Sequence, residues 1–182
     1  YRVDLDRAVD AKGQLETAAA YLELHIEQGP VLESLDLPLG VVLGTFGVER
    51  HRITWRGQAA HAGSTPMAER RDALAGAAKL ALEIRDIAAN VGDGAVCTSG
   101  GVTCKPGIVT SVVETAEQLL DQRHLDADKL AALLAHAKEA AARIANEERI
   151  DVEWERIWSI EPILFDETLV GFAEDAITEA SG

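Results

Sequence analysis

A cluster of side chains that could bind a metal ion or a polar ligand lies between residues 21 and 30. His25 is flanked by Glu23 and Glu27, and Gln28 follows directly before a Gly-Pro pair. Imidazole and carboxylate groups are common metal ligands, and α/β proteins bind ligands near the ends of strands. A zinc site needs at least three protein ligands, so His25 could equally be a surface histidine beside a turn.

A second concentration of polar and small residues runs from Gly57 to Met67, with the sequence GQAAHAGSTPM. Its histidine, His61, lies between a predicted strand and the predicted N-terminus of a helix, where backbone amides favour an anion. An imidazole at such a place could donate a hydrogen bond to an oxyanion that develops during a reaction. The alternative is a turn histidine whose ring bonds only to the backbone.

The elements that position these groups follow from hydrophobic periodicity. In the first part of the chain, alternation predicts a strand over residues 21–26, Pro30 favours a short helix over 31–35, and an apolar, β-rich run follows over 39–46. From residue 45 onward the pattern becomes more regular. It predicts a strand over 51–59, a helix over 66–89 with Thr65 as N-cap, strands over 95–104 and 114–123, a helix after Asp126, and a strand over 150–157.

This order of strand, helix, strand, strand, helix, strand predicts an α+β fold, a ferredoxin-like βαββαβ sandwich with both helices on one face of the sheet. We assign it to residues 45–160. The flanks, 1–44 and 161–182, with a further helix over 167–179, are most simply parts of one α/β domain into which the sandwich is inserted. A chain that opens at Tyr1 and stops at Gly182 is expected to be a piece of a larger protein.

Composition narrows the classes of function. The 182 residues are 47% hydrophobic and 26% charged, as is usual for a globular protein, and no apolar run approaches the ~20 residues of a membrane span. The net charge of −14 argues against nucleic acid and anionic membranes as partners, because either would need a basic face. With only Cys97 and Cys104, the cysteine usage favours a reducing cytoplasm.

Taken together, the motifs resemble those of one family, the N-carbamoyl-L-amino-acid hydrolases with allantoate amidohydrolase and β-ureidopropionase. The resemblance rests on ELHIEQGPVLE at residues 23–33, on GQAAHAGSTPM at residues 57–67 and on RDAL at residues 71–74. A weaker match is LDQRH at residues 120–124, where the family usually has an Asp-Leu-Arg strand. Several motifs in the same order are far more specific than any one of them.

The resemblance implies a two-metal amidohydrolase of the aminoacylase and carboxypeptidase type, with zinc or manganese, a catalytic α/β domain and an inserted lid domain that forms a homodimer. It implies that His25 is a metal ligand and that Gln28 contacts a small ureido or amide substrate. It also implies that His61 reaches the active site of the other subunit and stabilises the tetrahedral intermediate. Arg123 would grip the substrate carboxylate, as a planar guanidinium can do with two bonds.

The chain departs from the family pattern in two ways. Thr110 stands thirteen residues before Arg123, where the family usually has an asparagine. Its hydroxyl would replace an amide that both donates and accepts hydrogen bonds. The family's other metal ligands and its general-base glutamate belong to segments outside this stretch, so this stretch alone is expected to hold few metal ions or none.

Two other interpretations remain open. The first is an aminoacylase or peptidase of the same clan, and the second is a non-catalytic ferredoxin-like module that dimerises or binds a ligand. A dimer would use an open sheet edge, which the sequence assigns either to the strand over 114–123 or to the strand after the first long helix.

Overall fold

The structure is a computed structural model that describes residues 7, 9, 10 and 12–181. It divides into two compact units, Tyr1–Gly40 and Val41–Gly182. The described part of the first unit holds two short helices, α1 (Lys12–Leu15) and α2 (Val31–Ser34). In the described residues, no helix has the length and apolar character that crossing a bilayer requires.

The second unit carries most of the regular structure. In chain order its elements are β1 (Gly44–Thr45), β2 (Gly47–Arg56), β3 (Ala60–His61), a 3-10 turn (Met67–Glu69), α3 (Ala73–Val91), β4 (Val96–Lys105), β5 (Ser111–Val112), β6 (Thr115–His124), α4 (Ala127–Glu148), β7 (Asp151–Ile160), β8 (Ile163–Leu164) and α5 (Glu167–Ser181).

Four long strands form one antiparallel sheet in the order β4-β6-β2-β7. In its central pair, Arg56 lies opposite Thr115 at one end and Val48 lies opposite Arg123 at the other. The predicted strand over 114–123 is therefore interior, so its assignment as a dimer edge was wrong: β2 and β4 cover both of its sides. The edges of this sheet are β4, the strand after the first long helix, and β7.

The core lies between the sheet and the two long helices, which pack on the same face and against each other. On β2, Ile53 and Trp55 are fully buried, as the alternating pattern predicted. Gln118 is buried beside them, where its side-chain oxygen accepts a hydrogen bond from the Trp55 indole at 3.0 Å. The opposite face of the sheet carries Arg52 and other charged residues and is left open by the helices.

The predicted start of α3 was wrong. The helix begins at Ala73, where Asp72 caps it by accepting a hydrogen bond from the backbone N–H of Leu74 at 3.0 Å. Pro66 has an extended ψ of 146° and leads only into the 3-10 turn. Thr65 and Pro66 resembled a helix start locally, but contacts described below hold the backbone between them and Asp72 in a 3-10 turn followed by an extended residue, Arg70, and not in an α-helix. The Asp126 cap of α4 was predicted correctly.

The predicted strand over 21–26 and the β-rich run over 39–46 also differ from the structure. Residues 21–26 are irregular and exposed, and of the run over 39–46 only Gly44–Thr45 forms a strand, paired with Ile163–Leu164. A strand needs a neighbour for its backbone hydrogen bonds. Among the residues that the structure describes, none pairs with the stretch 21–26.

Candidate functional site

His61 lies in a tight loop that its own backbone and ring help to hold. β3 pairs with β5, which sets His61 opposite Ser111. The carbonyl oxygen of His61 accepts a hydrogen bond from the backbone N–H of Thr65 at 3.1 Å. The backbone N–H of Gly63 donates to the ring nitrogen Nδ1 of His61 at 3.1 Å. Since an accepting nitrogen carries no proton, the neutral ring holds its proton on Nε2 and can donate from there.

Two arginines fix the loop around His61 through backbone carbonyl groups. Arg70 donates from Nη2 to the carbonyl oxygen of Ala62 at 2.7 Å and from Nε to that of Thr65 at 3.2 Å. Arg149, in the left-handed region at the end of α4, donates to the carbonyl oxygens of Ala68 and Arg70. These bonds explain why the chain from Pro66 to Asp72 does not join the helix.

The same loop depends on a close backbone approach at Gly57. A Cβ at this position would lie 2.1 Å from the carbonyl oxygen of Arg71, so only glycine fits. The N–H of Gly57 donates to the carbonyl oxygen of Glu114 at 2.7 Å. The loop is therefore anchored to the short connection between β5 and β6.

Thr110 lies beside the His61 loop. Its carbonyl oxygen accepts a hydrogen bond from the N–H of Ala62 at 2.9 Å, directly before the β3–β5 pair. Thr110 itself is exposed. The structure thus brings together two predicted site residues that are separated by almost fifty positions in the sequence.

Arg123 lies on the open face of the sheet in a group of charged side chains. Its guanidinium donates from Nε to Oδ1 of Asp121 at 2.6 Å and from Nη2 to Oδ2 at 3.3 Å. Arg50, on β2, donates from Nε to Oδ2 of the same carboxylate at 2.6 Å. Partial burial raises the pKa of Asp121, but the hydrogen bonds from Arg123 and Arg50 outweigh it and lower that pKa below its ordinary value.

His61 and Arg123 lie toward opposite ends of the sheet. Arg123 pairs with Val48 at one end of β2, whereas the His61 loop follows Arg56 at the other end. Eight residue steps separate Val48 from Arg56, which is about 27 Å at the usual rise of a strand. One small substrate cannot contact both of these strand ends within one copy of the unit.

The remaining two predicted site residues belong to the first unit, and both are exposed. His25 is in an irregular stretch, where its Nδ1 lies against the carbonyl oxygen of Ile26. Gln28 adopts a left-handed backbone with φ of 55° just before the Gly-Pro turn. The carboxylate of Glu27 accepts hydrogen bonds from the N–H groups of Val31 and Leu32 at 2.8 and 3.0 Å, so it caps α2.

The donor set for a metal ion is incomplete in this stretch. Over the described residues, no group of three or more His, Cys, Asp or Glu side chains is arranged to hold a metal ion. His25 would be one ligand where at least three are needed. The described side chains therefore do not by themselves fit a metal centre.

The predicted site residues did not include Asp121, Arg50 or Arg70, whose hydrogen bonds fix Arg123 and the His61 loop. Asp121 stands two positions before Arg123, and the period of two in a strand puts both on one face. The sequence therefore contained the information needed to place Asp121 beside Arg123. The contribution of Arg50 could not be predicted, because it depends on the pairing of β2 with β6. Arg70 was missed because it was itself expected to lie in a helix.

The sequence of the chain is similar to those of several curated amidohydrolases. No protein-family model matches the sequence. The chain is 37% identical over 174 residues to the N-carbamoyl-L-amino acid amidohydrolase of Geobacillus stearothermophilus, an alignment that covers 96% of this chain and 42% of that protein. It is 34% identical over 151 residues to the allantoate amidohydrolase of Escherichia coli, covering 83% and 37%.

Solved structures agree with the sequence comparison. A hydantoinase/carbamoylase family amidase from Burkholderia multivorans superimposes with a TM-score of 0.83 at 33% identity, over 86% of this chain and 38% of that one. A related amidase from Burkholderia ambifaria gives a TM-score of 0.83 at 31% identity. In both sequence and fold, the chain is therefore similar to amidohydrolases and amidases.

The chain belongs to the hydantoinase/carbamoylase family, with the N-carbamoyl-L-amino-acid and allantoate amidohydrolases as relatives. It spans about two fifths of the length of these relatives.

Proposed function

We propose that this chain is part of a hydrolase that cleaves the linear C–N bond of N-carbamoyl amino acids or related ureido compounds. Support comes from the relatives, which carry the names of N-carbamoyl-L-amino-acid and allantoate amidohydrolases. The cysteine usage and the acidic charge favour a cytoplasmic protein with a small-molecule substrate and no nucleic-acid partner.

In this proposal residues 45–160 form a ferredoxin-like lid and dimerisation domain, and residues 1–44 and 161–182 belong to the catalytic α/β domain. The strand order β4-β6-β2-β7 with two helices on one face supports the ferredoxin-like assignment. The pairing of Gly44–Thr45 with Ile163–Leu164 supports an insertion, since the chain enters and leaves the sheet through neighbouring strands. The open edges at β4 and β7 offer places where a second copy could pair.

His61 is the catalytic group of this domain and stabilises the oxyanion of the tetrahedral intermediate. The observation that carries this role is the hydrogen bond from Gly63 N–H to Nδ1, because it directs the donating proton to Nε2. Arg70 and the β3–β5 pair hold the loop, so the donor is oriented before the substrate arrives.

Arg123 binds the substrate carboxylate, and Thr110 and Gln28 contact the substrate. About 27 Å of strand separates Val48, opposite Arg123, from Arg56, which precedes the His61 loop, so His61 and Arg123 of one copy serve different active sites. In this proposal, each active site of the homodimer takes Arg123 from one subunit and His61 and Thr110 from the other.

The proposed parent enzyme uses two divalent metal ions, zinc or manganese, with His25 as one ligand. Such ions lower the pKa of a bound water so that hydroxide forms near neutral pH. Since the described residues supply a single candidate ligand, we derive no catalytic step through the metals. The steps assigned to this chain are carboxylate binding at Arg123 and hydrogen-bond donation at His61.

The test is turnover by the full-length protein. We expect release of ammonia from N-carbamoyl-L-amino acids or allantoate, loss of this activity on chelation, and recovery with zinc or manganese. N-acetyl amino acids and dipeptides are the matched controls for the aminoacylase and peptidase hypotheses. Hydrolysis of those controls alone would contradict the proposal, and so would a protein inactive on every ureido compound after metal loading.

A further inference from the structure

The charged group around Arg123 contains a second arginine, Arg50, and one shared carboxylate, Asp121. Two guanidinium groups, those of Arg50 and Arg123, share the single carboxylate of Asp121. In the described part of the chain, these are the ion pairs of both arginines, so the group of three side chains has one net positive charge. Arg123 and Arg50 are each 42% exposed along their side chains, whereas Asp121 is only 23% exposed.

The bonds of Arg123 to Asp121 occupy one edge of its guanidinium. Nε and Nη2 both donate to this carboxylate, so the two N–H groups of Nη1 stay available to a ligand. A guanidinium held along one edge keeps its plane fixed while the rest faces outward. Fixing a long arginine side chain in advance reduces the entropy that a ligand must otherwise overcome.

Arg50 is itself held in place. Its guanidinium carbon lies 4.8 Å from the centre of the Trp158 ring, a cation–π contact between β2 and the edge strand β7. A chain of contacts thus runs across three strands, from Trp158 through Arg50 and Asp121 to Arg123. Each link joins residues on the open face of the sheet.

We propose that Asp121 is a positioning residue that orients Arg123 for a carboxylate ligand, and that Arg50, stacked on Trp158, keeps this group cationic. Without Arg50, the charge of Asp121 would cancel that of Arg123 and the site would attract an anion less. Without Asp121, the guanidinium of Arg123 would keep its charge but lose its fixed orientation. This inference rests on the function proposed above for Arg123.

The experiment compares two substrates in the full-length enzyme, an N-carbamoyl-L-amino acid and its carboxamide analogue, which lacks the carboxylate. Asp121→Asn keeps the shape of the side chain and removes its charge. We expect a rise in KM of roughly tenfold or more for the acid, with little change in kcat. For the carboxamide, which has no charge for Arg123 to bind, kcat/KM should stay within about twofold of wild type.

Glu117→Gln is the matched control, since Glu117 lies four residues earlier on the same face of β6. It should leave both substrates unaffected. Asp121→Glu should recover part of the lost affinity for the acid, and Arg50→Gln should raise KM for the acid alone.

Equal losses on the acid and the carboxamide would overturn the inference, because a merely structural role does not distinguish the two substrates. An unchanged KM for the acid in Asp121→Asn would overturn it as well. Either result leaves the proposed function standing as long as the wild-type enzyme hydrolyses the acid. A wild-type enzyme that hydrolyses neither substrate would instead refute the proposed function, and the role given to Arg123 with it.

Discussion

The backbone nitrogen of Gly63 and the ring nitrogen Nδ1 of His61 are 3.1 Å apart. This hydrogen bond determines which ring nitrogen of His61 can donate to a ligand. The loop supplies the donor two residues after the histidine. A ring whose Nδ1 is occupied presents Nε2–H outward, which is the form that an oxyanion requires.

Replacing His61 by alanine in the full-length enzyme should lower kcat by about 10²–10³, the usual effect of losing one oxyanion donor. Metal content and dimerisation should stay unchanged, since His61 is exposed and holds no buried contact. Steady-state kinetics, metal analysis and light scattering measure the three quantities. His25→Ala is the contrasting variant, in which activity and metal should be lost together.

Mixing the two inactive variants tests whether His61 acts across subunits. In a dimer of one His61→Ala and one His25→Ala subunit, one active site keeps both its metal ligand and the intact histidine of its neighbour. We expect part of the wild-type activity to return after the subunits are exchanged. If mixed dimers form and remain as inactive as their parents, His61 does not act in the other subunit.

Arg70 should matter for catalysis although it need not touch the substrate. Arg70→Met removes the hydrogen bonds to the carbonyl groups of Ala62 and Thr65 and loosens the loop that carries His61. We expect kcat to fall about tenfold, because small misplacements of a catalytic group are costly. Arg85→Met, at an exposed position of α3, is the control and should retain wild-type kcat.

Two helical glycines should respond to alanine in opposite directions. At Gly76, a Cβ would lie 2.6 Å from Cδ1 of Ile150 and 2.9 Å from Cε3 of Trp55, so Gly76→Ala should destabilise the chain by about 1–3 kcal/mol. At Gly171 of α5, a Cβ would meet no heavy atom of the described residues within 4 Å, so Gly171→Ala should stabilise by about 0.5–1 kcal/mol. Chemical denaturation of the 182-residue chain measures both, and a stabilised Gly76→Ala would contradict this packing.

The buried His51 should make stability depend on pH. Burial, together with the positive charges of Lys138 and Arg156, lowers its pKa from 6.5 to about 4, although Glu49 lies 3.7 Å away. As the pH falls, His51 is therefore protonated near pH 6.5 in the unfolded chain but only near pH 4 in the folded chain. This part of the stability is complete above pH 6.5 and is lost as the pH falls toward 4, by about 3 kcal/mol.

His51→Phe keeps a ring against Trp154 and removes the titrating group. The free energy of unfolding of this variant should fall less between pH 7 and pH 4.5 than that of the parent chain. Denaturation curves at the two pH values provide the comparison. Equal decreases in both proteins would show that His51 does not contribute.

Periodicity predicted the long elements of the second unit because their burial is regular. Ile53 and Trp55 alternate with polar neighbours, and both are fully buried in β2. The start of α3 could not be predicted in the same way. Thr65 and Pro66 are typical of a helix start, but Arg70 and Arg149 bind backbone carbonyl groups between Ala62 and Arg70 and keep this stretch out of the α-helix.

The candidate site was predictable in its residue types and not in its arrangement. β3 and β5 have two residues each, too few for any periodic signal, yet their pairing brings His61 close to Thr110. The partners of Arg123 depend on the register of β2 against β6, which no local pattern in the sequence fixes.

The pairing of Gly44 with Leu164 and of Thr45 with Ile163 has a geometric consequence. Neighbouring strands lie about 5 Å apart, so the two ends of the segment between residues 46 and 162 meet almost at one point. A segment whose two ends lie this close together can be inserted between two neighbouring residues of another domain with little change to that domain. The sheet and its helices therefore begin and end at almost the same point of the chain, which is the geometry that an inserted domain requires.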